Sequence, residues 1–198
     1  PDPETVASSA LQSMRAQNRL VPFVARYVSV VSSRQERLGG LVSSERTLVL
    51  PGDVRYELDL AKLGPEDVQW DAGSNTLSVT LPEIEIAGPE VDPAAAREYG
   101  ESGVLSAVTN AEEARDRNNR ARAIADLRKQ AGSPGPMRLA REAGRQAVER
   151  SFALPLQAAG FDNARVVARY PTEGSRVTEP LDHSRSYNDV LDQARQQR

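Results

Sequence analysis

The 198-residue chain has no cysteine, one histidine and no long apolar run. The absence of cysteine excludes disulfides, thiolate nucleophiles and cysteine metal sites. No segment approaches the roughly 18 apolar residues that a membrane-spanning helix needs, and the first residues lack the charged, apolar and small-residue order of a signal peptide. Aromatic residues make up only 5% of the chain, and the mean hydropathy is -0.52. We therefore expect part of the chain, most naturally its two ends, to lie outside the packed core.

The sequence also lacks the usual signatures of catalysis. The single histidine, His183, lies in a polar segment between Pro180 and Ser184. A Ser-His-Asp triad would depend on it, but triads are built on rigid elements that exclude water. Walker loops and the GxGxxG, GxSxG and HExxH motifs do not occur. We predict no catalytic residue, no cofactor and no histidine metal site.

Carboxylates on neighbouring strands are the remaining candidates for a metal site, because oxygen ligands suit Ca²⁺ and Mg²⁺. Side chains two residues apart on a strand point the same way but do not converge on one point. We therefore interpret the row as a solvated charged face and predict no metal site there. The row consists of Asp53, Glu57, Asp59, Glu83 and Glu85.

The formal net charge of -3 argues against a dedicated nucleic-acid binder. Arginines gather on two predicted helices, where they could contact phosphates or an anionic membrane surface. Acidic residues are interleaved with them, so we interpret these faces as solvated surfaces with i,i+4 ion pairs and predict no nucleic-acid partner. The basic residues are Arg115, Arg117, Arg120, Arg122, Arg128, Lys129, Arg138, Arg141, Arg145 and Arg150.

Alternation with a period of two residues is the strongest structural signal. Apolar and charged residues alternate from residue 53 to residue 60, and the alternation returns over residues 76–81 and 83–86, which predicts an antiparallel meander with one solvated side. The loop at residues 71–75 follows a short strand that ends in Trp70. We interpret Trp70 as a core residue of this hairpin rather than as a ligand platform. The apolar set of the first strand is Val54, Tyr56, Leu58 and Leu60.

The segments before this meander predict a short amphipathic helix from Pro3 to about Asn18, then a long strand over residues 20–32 with both faces partly covered. Gly39 and Gly40 predict a turn. A strand at residues 48–50 follows, and we expect a tight turn or bulge at residues 51–52 to interrupt it.

The second half of the chain is mainly helical in pattern. We predict a short helix from Pro93 to Tyr99 and a long helix from Thr109 to Ala131, which a capping box opens. A second long helix begins at Pro136, and Pro155 ends or kinks it. A last strand covers residues 165–170. The expected apolar stripes of the two long helices are Ala111, Ala114, Ala121, Ile124, Ala125 and Leu127, then Leu139, Ala140, Ala143, Ala147 and Val148.

These elements predict an α+β fold in which an antiparallel sheet packs against two long C-terminal helices. We divide the chain into a short N-terminal helix at residues 1–20, a single α+β domain at residues 21–170 and a polar tail at residues 171–198. The tail has room for a short helix, with Tyr187, Val190, Leu191 and Ala194 on one side.

The order of these motifs resembles the bacterial family called domain of unknown function 4230, over roughly residues 23–170. The specific matches are Gly52 leading into Asp59 and Leu60, the pair Leu81 and Pro82, Asp92 after the acidic strand, and Gly160 with Phe161 before the last strand. The sequence departs from the family at Pro155, within a helix that is usually uninterrupted, and in its tail. The hairpin of residues 64–82 is also similar to small heat-shock proteins, but the paired helices are not.

The resemblance implies an extracytoplasmic domain behind one N-terminal membrane helix, with no assigned activity and no catalytic residue to carry over. The chain starts at Pro1 without an initiator methionine, so we expect an anchor or a signal upstream. The first hypothesis is a non-enzymatic, membrane-tethered interaction or assembly domain with a protein partner or a second copy of itself. The alternative is a small-ligand or lipid-binding domain with its site between sheet and helices. The third is a metal-dependent hydrolase that uses acidic residues.

Overall fold

The structure is a computed structural model that describes residues 1–37, 39–40, 42–100 and 110–173. The helices are α1 (Pro3–Gln17), α2 (Asn110–Ala131) and α3 (Pro134–Ala158). The strands are β1 (Arg19–Arg37), β2 (Val42–Asp59), β3 (Val68–Asp71), β4 (Thr76–Thr80), β5 (Glu85–Val91), β6 (Arg97–Gly100) and β7 (Arg165–Arg169). Short 3-10 turns occupy Leu60–Lys62, Pro65–Asp67 and Pro93–Ala95.

A long antiparallel hairpin of β1 and β2 forms the spine of the larger sheet. The two strands pair along their whole length, starting from Arg19 opposite Asp59. Gly39 and Gly40 turn the chain between them with φ values of 65° and 92°, which glycine adopts without steric cost. The predicted strand and turn are confirmed, and β1 continues past the predicted end at Ser32.

The predicted interruption at Pro51 and Gly52 is wrong, because β2 continues through both residues. On the side away from β1, β2 pairs with β5 through residues 52–57 and with β6 through residues 46–49. Pro51 has no N–H to donate, and it lies in the gap between these two partners. A strand tolerates proline where a ladder is incomplete in this way.

A second sheet contains β3, β4 and β7 in that order, with β3 antiparallel and β7 parallel to β4. The single meander that we predicted is therefore wrong in its connectivity, because β5 pairs with β2 instead of β4. The hairpin around residues 71–75 is confirmed. Asp71 holds it by accepting hydrogen bonds from the Gly73 N–H at 2.9 Å and the Ser74 hydroxyl at 2.7 Å. The fold is α+β with mainly antiparallel sheets.

The main core encloses the base of the hairpin. The four residues that alternation predicted to share a face have 0–1% of their surface exposed: Val54, Tyr56 and Leu58 on β2, and Leu60 in the 3-10 turn that follows. Helix α1 contributes one apolar stripe to the same core, and α3 contributes another. The buried residues of α1 are Ala7, Ala10, Leu11 and Met14.

Two tyrosine hydroxyls link the hairpin to the end of α2. The Tyr56 hydroxyl donates to the carbonyl of Ala131 at 2.8 Å and lies 2.7 Å from the Tyr27 hydroxyl. Burial raises the pKa of Tyr56 well above its usual value, and the hydrogen bond with Tyr27 adds to this shift. The hydroxyl therefore stays protonated and its partners are satisfied inside the core.

The predicted helix stripes are confirmed only in part, because Leu127, Ala140 and Val148 are buried but most of the predicted alanines are not. Helix α2 buries Asn119, Ala123, Leu127 and Ala131, whereas Ala114, Ala121 and Ala125 are exposed. Helix α3 buries every fourth residue, and Leu139 is 60% exposed. Alanine gives little contrast between a buried and an exposed face, so the stripes could not be placed by pattern. The buried residues of α3 are Ala140, Gly144, Val148, Phe152 and Leu156.

Helix α3 passes through Pro155 and ends at Ala158, so the proline does not end it. The predicted helix at residues 93–99 is also wrong: a 3-10 turn precedes β6, which pairs with β2. Thr109, His183 and residues 174–198 lie outside the described residues. Among the described helices, no segment has the length and apolar character required to cross a membrane.

Candidate functional site

The distal half of the β1–β2 hairpin, residues 28–37 and 42–51, is called here the hairpin arm. Its two faces have different surroundings. Its inner face packs on α2 through a small apolar cluster, separate from the main core. The cluster consists of Val31, Leu48, Leu50, Ala123 and Leu127.

Polar side chains of α2 hold the arm nearer its tip. The guanidinium of Arg115 donates to the Ser33 hydroxyl at 3.0 Å, to the Ser33 carbonyl at 3.1 Å and to Gln35 Oε1 at 3.2 Å on β1. It also reaches Ser44 on β2, at its hydroxyl and its carbonyl. Asn119, which is 4% exposed, donates to the same Ser33 hydroxyl at 2.9 Å. We call this set the Arg115 clamp, and it ties both strands of the arm to one helix.

A second polar link joins α2 to the start of the arm. The fully buried Ser29 hydroxyl donates to Asp126 at 2.7 Å, and Gln130 donates both to Asp126 and to the carbonyl of Val28. The hydrogen bonds from Ser29 and Gln130 hold the pKa of Asp126 below its usual value. Asp126 is therefore ionised at neutral pH and accepts both bonds as a carboxylate.

The outer face of the same strands carries apolar side chains that no described residue covers. Val24, Val28 and Val30 on β1 are 56%, 49% and 62% exposed, and Tyr99 on β6 is 61% exposed. Their register partners on β2 include Val49 and Pro51, which are half-buried. Register partners in antiparallel strands share a face. We call this surface the outer band, and it consists of Val24, Val28, Val30, Val49, Pro51 and Tyr99.

Opposite charges border the apolar centre of the outer band at both ends. At one end Arg26 donates two hydrogen bonds to Asp53, at 2.8 and 3.1 Å. These bonds lower the pKa of Asp53. At the other end Arg34 lies opposite Glu45 in the strand register, and both are exposed. At both ends β1 carries the cation and β2 carries the carboxylate.

The structure disperses the carboxylate row that we considered as a metal site. Arg19 pairs with Glu57 at 3.0 Å and with Glu85 at 2.8 Å, and Lys62 reaches Glu85 at 2.7 Å. Asp59 lies 3.9 Å from Arg19. The protein's own cations therefore occupy this part of the row, and hydrogen bonds from Lys62 and Arg19 lower the pKa of Glu85.

The other two carboxylates of the row lie elsewhere. Asp53 pairs with Arg26, and Glu83 pairs with Arg141 at 3.1 Å and accepts a hydrogen bond from Thr172. In residues 1–37, 39–40, 42–100 and 110–173, no group of three or more possible ligands is placed to hold a metal ion.

The interpretation of the helix arginines as solvated is wrong for three of them. Arg115 forms the clamp, and Arg141 and Arg145 pack over the ring of Tyr170, 5.9 and 5.5 Å from its centroid. Arg145 also donates to the carbonyl of Ala168 at 2.8 Å and pairs with Glu173. These arginines hold structural elements together, and sequence alone did not reveal it because their partners are distant along the chain.

A groove separates α1 from the smaller sheet. Its volume is about 450 Å³. Trp70 lines it and packs on the main core, so the tryptophan that we interpreted as a hairpin core residue is also a groove residue. The full lining is Glu4, Ala7, Ser8, Leu11, Pro65, Val68, Gln69, Trp70 and Leu77.

The fold and these surfaces define a two-sheet α+β domain with an open apolar sheet face. The family model described as "Protein of unknown function (DUF4230)" matches residues 12–166, so the chain belongs to this family. No curated protein and no solved structure matches the chain.

Sequence reasoning did not identify the outer band. The valines on both faces of residues 20–32 predict a strand with both faces partly covered. In the structure the inner residues Ser29 and Val31 are buried, whereas Val28 and Val30 between them are exposed. The sequence has more valines here than a strand covered on one face requires, and this excess could have indicated an exposed apolar face.

Proposed function

We propose that the protein is a non-enzymatic, extracytoplasmic and membrane-tethered interaction or assembly domain that binds its protein partner through the outer band. The observation that carries this proposal is the exposure of valines and a tyrosine on a paired sheet face. Soluble proteins seldom leave such contiguous apolar patches open, and where they do the patch commonly marks an interaction site.

The arm is suited to this role because its conformation is fixed before a partner arrives. The apolar cluster and the Arg115 clamp hold its inner face against α2. A preorganised surface loses little conformational entropy on binding. The outer band can therefore bind without the arm having to fold at the same time.

The tethered location rests on the family resemblance. We expect the full-length open reading frame to show about 20 mainly apolar residues before Pro1, with Arg or Lys on the cytoplasmic side. Membrane fractionation and protease accessibility of the full-length protein check this. A start codon immediately before Pro1, or protection from an extracytoplasmic protease, would contradict the location.

Site-specific photocrosslinking in intact cells tests the interaction itself. A photoreactive amino acid at Val30 lies on the outer band, and one at Leu139 is an equally exposed control on α3. We expect a discrete protein adduct, identified by mass spectrometry, at Val30 and not at Leu139. Equal labelling at both positions, or no adduct at Val24, Val28 and Val30, would contradict the proposal.

The absence of an enzymatic activity is part of the proposal. It is supported by the ion pairs that occupy the acidic row around Arg19. Screening against esterase, phosphatase and peptidase substrates, with and without divalent metal, tests it. Turnover that Asp53→Asn or Asp59→Asn abolishes would overturn it.

The groove supports a second candidate function, binding of a small apolar ligand or lipid. Its lining is mainly apolar and includes Trp70, and Glu4 and Gln69 add polar groups. Many small-ligand sites have this composition. Titration with a medium-chain fatty acid, followed by Trp70 fluorescence, tests this candidate. A saturable change that Ser8→Phe blocks by narrowing the groove, without adding a second tryptophan, would support it, and an unchanged spectrum would contradict it.

A further inference from the structure

The outer band is self-complementary, and this feature deepens the proposed interaction function by indicating its partner. Along the band, successive register pairs join β1 to β2. In every charged pair the arginine comes from β1 and the carboxylate comes from β2. The pairs are Arg26 with Asp53, Val28 with Pro51, Val30 with Val49, Ser32 with Thr47 and Arg34 with Glu45. Beyond Arg26, Val24 lies opposite Arg55, which forms an ion pair with Glu90 on β5 at 3.0 Å.

Consider a second copy laid face to face on the band, related by a two-fold axis parallel to the strands and midway between them. This operation places β1 of one copy over β2 of the other without shifting position along the strands. Arg26 then faces Asp53 of the partner subunit, and Arg34 faces Glu45 of the partner subunit. The Arg26–Asp53 and Arg34–Glu45 pairs of one sheet are thus repeated between the two sheets, with valines and proline between them, whereas Arg55 faces Val24 of the partner subunit.

The other two-fold axis in the plane of the sheet is perpendicular to the strands, and it gives the opposite result. It would place Arg26 of one copy over Arg34 of the partner subunit, and Asp53 over Glu45 of the partner subunit. Like charges would then meet at both ends of the contact, which is unfavourable. Both axes keep the strands of the two sheets aligned, as face-to-face packing requires. Charge alone therefore selects the first arrangement.

We propose that two copies of this chain form a homodimer by packing their outer bands face to face about a two-fold axis parallel to β1 and β2. From strand dimensions, the band is about 35 Å long and about 10–15 Å wide. The contact would therefore bury roughly 400–500 Å² of surface on each copy. A standard stable interface buries about 800 Å² for each partner. The dimer is therefore weak in dilute solution. Tethering to one membrane, which rests on the proposed function, raises the effective concentration of the partners.

Sedimentation velocity over a wide concentration range tests association of the purified chain. We expect a reversible monomer–dimer equilibrium. Val28→Thr combined with Val30→Thr keeps β-branched side chains in the strand and should raise the dimer Kd at least about tenfold. Leu139→Thr removes an equally exposed apolar side chain from α3 and should leave the Kd unchanged.

A charge-designed pair of variants tests the face-to-face geometry. An acidic variant carries Arg26→Glu and Arg34→Glu, and a basic variant carries Glu45→Arg and Asp53→Arg. Each variant alone should be monomeric, because its four charges at positions 26, 34, 45 and 53 have one sign and meet like charges across the contact. An equimolar mixture should dimerise at concentrations where neither variant associates alone. Circular dichroism of each variant confirms that it is folded before the comparison.

The outcomes separate this inference from the proposed function. A chain that is monomeric at all concentrations, or a dimer that the valine and charge variants leave unchanged, overturns the homodimer. Monomeric protein together with a specific adduct at Val30 to a different protein in cells overturns the homodimer and supports the interaction function. Monomeric protein with no adduct at the band overturns both.

Discussion

The base and the arm of one hairpin are held in place by different physical means. At the base, Val54, Tyr56 and Leu58 on β2 are fully buried in a core to which α1 and α3 contribute. In the arm, a five-residue cluster and the polar Arg115 clamp attach only the inner face to α2. Burial of apolar surface dominates stability at the base. Hydrogen bonds position the arm and allow its other face to remain open.

This contrast between base and arm indicates where the protein can change its surface without losing its fold. Substitutions on the outer band remove little buried area, so binding can vary there at small cost in stability. Substitutions at the base change side chains that are buried in the main core, so they lower stability.

Leu58→Ala should lower the free energy of unfolding by about 2–4 kcal/mol, because it removes a fully buried side chain and leaves a cavity. Val24→Ala, on the exposed face of the neighbouring strand, should cost less than about 1 kcal/mol. Urea unfolding of both variants measures the difference. Equal losses would show that the assignment of faces is wrong.

Gly144→Ala should destabilise the protein by about 1–3 kcal/mol through overpacking. A Cβ at this position would lie 2.6 Å from the Tyr170 hydroxyl and 3.0 Å from Leu58 Cδ1, so α3 would have to move away from the base. Gly132→Ala is the control, since its Cβ would meet no atom closer than 3.5 Å. Thermal unfolding compares the two, and a tolerated Gly144→Ala would contradict the close approach of α3.

Arg115→Lys should loosen the arm while leaving the base intact, because one ammonium group cannot replace a guanidinium that bridges Ser33, Gln35 and Ser44. We expect a loss of about 1–2 kcal/mol that is confined to the arm. Amide hydrogen exchange measures this effect. We expect faster exchange in residues 29–35 and 44–50 and unchanged exchange at residues 53–58.

The neighbouring Arg117 supplies the matched control for that experiment. Its side chain is exposed, so Arg117→Lys should leave exchange in the arm unchanged. Uniformly faster exchange over both halves of the hairpin in Arg115→Lys would show that base and arm do not differ as we infer.

Asp126 should give the smallest effect, and one that depends on pH. Its pKa is lowered in the folded protein, so its contribution to stability is present above the unfolded-state pKa, near 3.8, and is lost as the pH falls through the lower folded-state pKa. The stability difference between the native chain and Asp126→Asn should therefore shrink on acidification below about pH 4. If urea unfolding shows that the stability difference grows toward low pH, the predicted direction of the pH dependence is wrong.

Local patterns predicted the local parts of the fold. The alternation over residues 53–60 identified the buried face of β2 correctly, and the turn residues around Asp71 located the β3–β4 hairpin. Both signals lie within a few residues of what they predict. The separation into two sheets depends on whether β4 or β5 reaches β2. Tertiary packing decides which strand pairs with β2, and the sequence of a short segment does not contain this information.

The functional surface escaped prediction for a related reason. Val30 and Val31 are the same residue type at adjacent positions, yet one is 62% exposed and the other is 7% exposed. Only the position of α2 decides which face is covered. The Arg115 clamp was also hidden, because an arginine on a helix predicts a solvated face unless its partners, about 70–80 residues away along the chain, are known.

Trp70 gives the molecule an intrinsic optical probe at a single place. It is the sole tryptophan of the chain and lies on the wall of the groove beside α1. Light at the red edge of the absorption band excites indole in preference to tyrosine, so the emission comes from this position alone. Its wavelength and quenching by dissolved iodide report how α1 sits against the smaller sheet, and they should be insensitive to events on the distant outer band. The unlabelled protein can thus distinguish a ligand entering the groove from a partner binding the arm.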